Sequence, residues 1–235
     1  QQIAFLNEAD KLKSVTRGTL LCDASRAENS AEHSWHLTLY ALVLADQAGE
    51  GVDITRGIKM LILHDLVEID AGDNPIFGTY EQTDMEAQEQ LAADRIFGLL
   101  PDDLRDDLRA TWEEFEACET PTARFAKSLD RFQPPMQNLA AGGGSWIEYN
   151  VTEDQFVEKV GSRIAHGAPG LWAYARKHAA AACRSCVLSS TRSSEKISLT
   201  FLYAIVYLLH IRTRLGYASP NTLTKGMAAD DEDQG

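Results

Sequence analysis

The amino-acid sequence predicts an all-α fold, and three features carry that expectation. Apolar residues recur at helical spacing through almost every segment. Alternating, strand-like runs are scarce. Glycine, proline and clustered polar residues fall between the periodic stretches, where turns belong.

The elements follow in order. Residues 3–12 read as a short amphipathic helix. Asn29 and Glu32 have the spacing of a capping box, in which each side chain satisfies a backbone N–H that the helix start leaves open. They begin a helix through HSWHLTLYALVLADQA that places Leu37, Tyr40, Ala41 and Leu44 on one face and stops near Gly49. A third helix covers residues 55–66, and DAGDNPIFG beyond it is a loop marked by Gly72, Asp73, Asn74 and Pro75. Helices are expected at 83–100, 103–118 and 121–140, with Pro101 separating the first two and Pro121 in the first turn of the third. Gly142, Gly143 and Gly144 break the pattern before helices at 151–164 and 169–182. Trp35, Trp112 and Trp172 are assigned to the core or an interface.

Composition bounds the function. A chain of 235 residues, 44% hydrophobic and 24% charged, has material for one well-cored domain. That domain is placed at residues 1–182, and residues 183–235 are read as a serine-rich linker and tail. The tail's apolar run, residues 197–211, is shorter than the about 20 residues that span a bilayer, and it contains Ser198, Thr200 and His210, so no membrane partner is expected. A net charge of −13 argues against duplex nucleic acid, whose phosphates need a basic footprint. A small anionic substrate stays compatible where a metal and a few arginines reverse the field locally. Cys22, Cys118, Cys183 and Cys186 are too few and too uneven for a disulfide framework, and the first residues lack a secretory signal, so a cytoplasmic setting is expected. Cys183 and Cys186 form a lone CxxC without a second pair, and the glycine triplet lacks the Lys-Ser/Thr of a phosphate loop.

The residues with most chemistry are His64 and Asp65, at the end of the apolar stretch IKMLILHDL. A charged carboxylate at the edge of such a run is costly unless something pairs with it, and a cation bound by imidazole and carboxylate meets that need. Neighbours on an ideal helix point about 100° apart, so both reach one ion only where the helix relaxes. His33 lies in the first turn of the capped helix, Asp130 within an otherwise apolar face with Phe125, Leu129 and Phe132, and Glu68 one turn after His64. Two histidines and two aspartates make a mixed nitrogen and oxygen set suited to Mn, Fe, Co or Zn. His36, one turn from His33, is read as a packing histidine.

Taken in order, ENSAEHSWH, MLILHDLVEIDAGD and RFAKSLDRFQP resemble the H…HD…D pattern of the HD-domain metal-dependent phosphohydrolases, 5′-deoxynucleotidase-like branch. The resemblance implies an all-helical fold, one divalent metal (Mn, Co, Fe or Zn, with Mg an option) on His33, His64, Asp65 and Asp130, and release of phosphate from nucleoside 5′-monophosphates. It implies that Glu68 positions or deprotonates the attacking water, that Arg17 in LKSVTRGTL binds the phosphate, that Asp73 contacts the sugar, and that the protein forms a homodimer. Gly18 departs from the pattern, which has tryptophan after the arginine. A phosphodiesterase or alarmone hydrolase of the same superfamily is an alternative, as is a metal-binding or scaffold protein without turnover. RTRLGYASPNTL resembles the closing segment of insertion-element integrases, which implies a fused or frameshifted tail.

Overall fold

The computed structural model describes residues 1–78 and 82–190. It is helical except for one small hairpin. Helix α1 (Gln2–Ala9) runs into a tight 3₁₀ turn and then strands β1 (Thr16–Leu20) and β2 (Ala27–Asn29), which pair antiparallel with an irregular register. The hairpin is the departure from the expected all-helical reading, and it lies in a stretch to which periodicity assigned nothing. Helix α2 (Ser30–Val43) begins at Asn29, and both hydrogen bonds of the expected capping box with Glu32 are present. It ends earlier than predicted, passing into a 3₁₀ turn at Ala45–Gln47.

Helix α3 (Ile54–Leu63) stops one residue short of His64, and a 3₁₀ turn, His64–Val67, leads into the single turn of α4 (Glu68–Ala71). The α-helix predicted through residue 66 thus tightens at the His-Asp pair. Helices α5 (Gln82–Phe97) and α6 (Asp102–Ala117) follow, then α7 (Pro121–Ala140), whose two ends coincide with the sequence reading. Thr120 caps α7 by accepting from the Ala123 N–H, and Pro121 occupies the first turn, where its missing N–H costs nothing. Pro134 and Pro135 lie inside α7, so the carbonyls of Asp130 and Arg131 lose their usual amide partners.

Beyond the glycine turn come α8 (Ser145–Glu148), α9 (Glu153–Phe156), a π-helical turn, α10 (Ser162–Gly167) and α11 (Pro169–Ser190). The helix expected over residues 151–164 is therefore broken. At Gly161, within the π turn, a Cβ would stand 2.5 Å from the Trp172 ring, so glycine lets that indole approach the backbone. The α11 backbone continues to Ser190, past the boundary drawn after residue 182. The apolar run 197–211, the acidic end and the integrase-like segment lie outside the described residues, as do the side chains of Cys183 and Cys186. No helix among the described residues is long and apolar enough to cross a membrane.

Two apolar clusters form the core. One gathers Leu37, Met60, Leu61, Phe115, Leu129 and Ile164; the other gathers Phe5, Leu12, Leu63, Leu66, Ile96 and Trp112. Helix α3 contributes to both and the turn after it to the second, and His64-Asp65 sits at that seam. Trp112 is buried and Trp172 partly so, but Trp35 is 63% exposed and forms no part of the core.

Candidate metal centre

Each donor is held by its own element. His64 caps α3, and its Nδ1 lies 2.9 Å from the Leu61 carbonyl oxygen. A carbonyl only accepts, so Nδ1 carries a proton and Nε2 is the ring nitrogen left to face the site. Phe115 packs its edge against the same ring, and Trp112 Nε1 donates to the His64 carbonyl at 3.2 Å. His33, fully buried in the first turn of α2, sets Nε2 3.2 Å from Asp130 Oδ1 and Nδ1 3.1 Å from Gln133 Oε1. Asp130 Oδ1 is also 3.7 Å from His64 Nε2.

His33, His64 and Asp130 each offer one ligand atom within 4.8 Å of the others. Donors about 2.1 Å from one cation stand roughly 3.0 Å apart at a right angle and roughly 3.4 Å apart at the tetrahedral angle, so the spacing suits a shared ion. His64 Nε2 is buried without a hydrogen bond, although Asp65 Oδ1 lies 2.9 Å away, because the two are not aligned for one. An orphaned ring nitrogen beside two carboxylates is the condition a divalent cation relieves. Asp65 stands beside the converging trio: its Oδ2 lies 4.0 Å from His33 Nε2 and accepts from Arg17 Nη1 at 2.9 Å.

Arg17 lies on β1 with its side chain mostly buried, 11% exposed. Its Nη1 also reaches Glu68 Oε1 at 3.5 Å and Asp73 Oδ1 at 3.6 Å. Glu68 opens α4 and accepts from Ser30 Oγ at 2.5 Å. The Asp73 carboxylate reaches across to the Gly18 N–H at 3.3 Å, tying the loop to β1. A Cβ on Gly18 would meet Pro75 Cγ at 3.4 Å and Tyr149 Oη at 3.8 Å, so these residues border the space next to it. Arg17, His64, Asp65, Glu68, Asp73 and Asp130 line one cavity of about 180 Å³, with His33 behind its wall.

The charges are strongly coupled. Burial disfavours a charged His64, but Asp65 and Asp130 outweigh it and push the imidazole up to about 10. Burial acts against Asp65 as well, yet His64 and Arg17 hold it well below the usual carboxylate range. Asp130 is likewise lowered against burial, by Arg131, His33 and His64. Glu68 moves the other way: burial and the charge of Asp65 push it up to about 9, with Arg17 opposing. Burial raises Asp73, again against Arg17. In this cavity the carboxylates outnumber the fixed cations, and the excess negative charge is a second sign that a cation belongs there.

The expected residues His33, His64, Asp65, Asp130, Glu68, Arg17 and Asp73 thus meet around one cavity, with Asp65 outside the closest trio. His36 is half-buried, with Tyr40 edge-on and Gln133 Nε2 3.2 Å from its Nδ1. Sequence reasoning missed Glu28, Ser30, Gln133 and Gln137, all buried polar residues next to these groups. For the two glutamines a signal existed, since they follow Asp130 along the same α7 face.

Residues 9–172 match the family model described as HD domain. The human 5'-deoxynucleotidase HDDC2 is 29% identical over 136 residues, which cover 57% of this chain and 65% of that protein. The 5'-deoxynucleotidase of Citrobacter koseri is 26% identical over 157 residues, covering 63% and 78%. The crystal structure of a predicted metal-dependent phosphohydrolase from Magnetospirillum magnetotacticum MS-1 superposes with a TM-score of 0.71 at 48% identity, covering 78% of this chain and 94% of that one. The chain belongs to the HD-domain family. Within it, the likeness is to the 5'-deoxynucleotidase-like branch.

Proposed function

We propose that the protein is a metal-dependent phosphomonoesterase that releases phosphate from nucleoside 5′-monophosphates. The observation that carries this reading is the convergence of His33, His64 and Asp130 at a cavity that also presents Arg17 and Glu68. The names of its relatives support the nucleotide class. His33, His64, Asp130 and Asp65 would hold one divalent ion, and the mixed donor set suits Mn, Co, Fe or Zn, with Mg as the hard alternative. When bound, that ion would polarise the phosphoryl group and make an attacking water more acidic.

The chain's own residues do the rest. Glu68 is the carboxyl group beside the donors that would take the water's proton; burial and Asp65 raise its proton affinity, and a bound cation would lower it towards the working pH. Ser30 orients it through Oε2. Arg17 offers a planar fork that meets a phosphate with two parallel hydrogen bonds and balances charge on the departing group. Asp73, whose carboxylate accepts from the Gly18 N–H, would meet a sugar hydroxyl in this reading. Because Gly18 supplies no indole, this reading extends to ribose as well as deoxyribose substrates.

Phosphate release from a panel of 5′-, 3′- and cyclic nucleotides with Mn²⁺, Co²⁺ or Mg²⁺ tests the proposal. Turnover of 5′-monophosphates supports it, and turnover confined to cyclic or 3′-phosphorylated compounds overturns it. The reading places no machinery after α11, so a chain shortened after Ser190 keeps folding and metal binding; loss of either sinks that division.

A further inference from the structure

Behind the His33 ring lies a closed polar layer that the proposed reaction leaves unused. Glu28, on β2, is only 1% exposed, and Gln133 and Gln137 on α7 are buried with it. Burying a carboxylate away from the cavity is costly and needs a compensating arrangement. Glu28 Oε1 accepts from Gln133 Nε2 at 3.0 Å and from Gln137 Nε2 at 2.8 Å. Its Oε2 lies 3.4 Å from His33 Nδ1 and 4.0 Å from Arg17 Nε, without a hydrogen bond to either.

The order of donors and acceptors in this layer is forced. An ionised carboxylate only accepts, so the side of Gln133 that faces Glu28 must be its NH₂. The amide carbonyl then points the other way, where it meets His33 Nδ1 at 3.1 Å. A carbonyl also only accepts, so Nδ1 must bear the imidazole proton. Nε2 is left as the lone-pair nitrogen, 3.2 Å from Asp130 Oδ1. Glu28 therefore reads out, through one amide, on the nitrogen that faces the cluster. His64 achieves the same state by a backbone carbonyl; His33, in the first turn of its helix, has this side-chain relay instead.

We infer that Glu28, acting through Gln133, is a positioning residue that locks His33 in the Nδ1-protonated tautomer and so keeps its Nε2 available to a divalent cation. The inference rests on the metal-centre reading above. Gln137 shares the Glu28 oxygen but is not among the His33 partners, which gives the test its control.

The experiment measures Mn²⁺ affinity of the metal-stripped full chain by calorimetry, beside circular dichroism and melting, for wild type, Glu28→Gln, Gln133→Met, Gln137→Met and His64→Ala. Outer-layer partners of metal-bound histidines are worth roughly 10- to 100-fold in affinity. Glu28→Gln and Gln133→Met should each weaken Mn²⁺ binding by about that factor, while Gln137→Met loses far less. Equal losses in Gln133→Met and Gln137→Met, or wild-type affinity in Glu28→Gln, overturn the inference. Wild-type affinity in His64→Ala overturns the metal reading itself, a separate outcome. A measurement on the unmutated protein covers variants that fail to fold: the ¹⁵N histidine spectrum of the Zn²⁺-loaded chain should show His33 protonated at Nδ1. A proton on Nε2 there overturns the inference.

Discussion

Helix α7 and the β1–β2 hairpin feed side chains into the same cluster by different physics. Helix α7 is 20 residues long, and its buried face carries Phe125, Leu129 and Phe132 beside Asp130, Gln133 and Gln137. Apolar packing fixes the donors here. The hairpin has strands of five and three residues, and its inward residues are Arg17, Thr19 and Glu28. Charge holds it to the site, through Asp65, Glu68 and Asp73. The regular element thus holds its side chains by packing, and the irregular one holds by charge the arginine that the proposed reaction would have exchange its partners for a phosphate.

Mutations can break this contrast at graded cost. Asp130→Ala should have the largest effect, with Mn²⁺ binding and phosphate release both lost, as read by metal analysis and turnover. Glu68→Gln comes next, lowering kcat by about 10²–10⁴ while metal content stays at the wild-type level, since general-base contributions fall in that range. Retained turnover in that variant removes Glu68 from the role. Leu129→Ala, deep under the α7 donors, should cost about 2–5 kcal/mol in chemical denaturation. Arg17→Lys keeps the charge but not the fork, and should lower kcat/KM by roughly 10- to 100-fold, mostly through KM, with metal affinity little changed. The smallest effect belongs to Thr16→Ala on the exposed start of β1, within about 0.5 kcal/mol of wild type in the same denaturation assay. If Thr16→Ala matched Leu129→Ala, the hairpin would be as tightly packed as the helix and the contrast would fall.

The same contrast explains what the sequence made legible. Helix α7 announced both ends, because Thr120 and Pro121 begin it and the glycine turn stops it. The capping box of Asn29 and Glu32 was readable for a similar reason: its chemistry is local. The hairpin was not, since TRGTL has no alternation and its strands are too short to show one. Arg17 entered through resemblance rather than pattern. Glu28 stayed hidden because a glutamate in AENS looks like surface; only the fold places Gln133 and Gln137 over it. The break in the third helix was half legible. Adjacent His64 and Asp65 required relaxed geometry at one site, but where the helix would tighten depended on tertiary packing.

The seam at α3 has a further consequence. Leu61 belongs to one apolar cluster and Leu63 to the other, so a single turn of chain forms a shared wall between separate cores. A repacking in either core shifts that wall, and His64 and Asp65 are its next residues. Distances among donors that tolerate only tenths of an ångström therefore report on the fit of both halves at once. Sequence drift in distant core positions becomes a tuning knob for the centre, and the two cores are not free to change independently while it is kept.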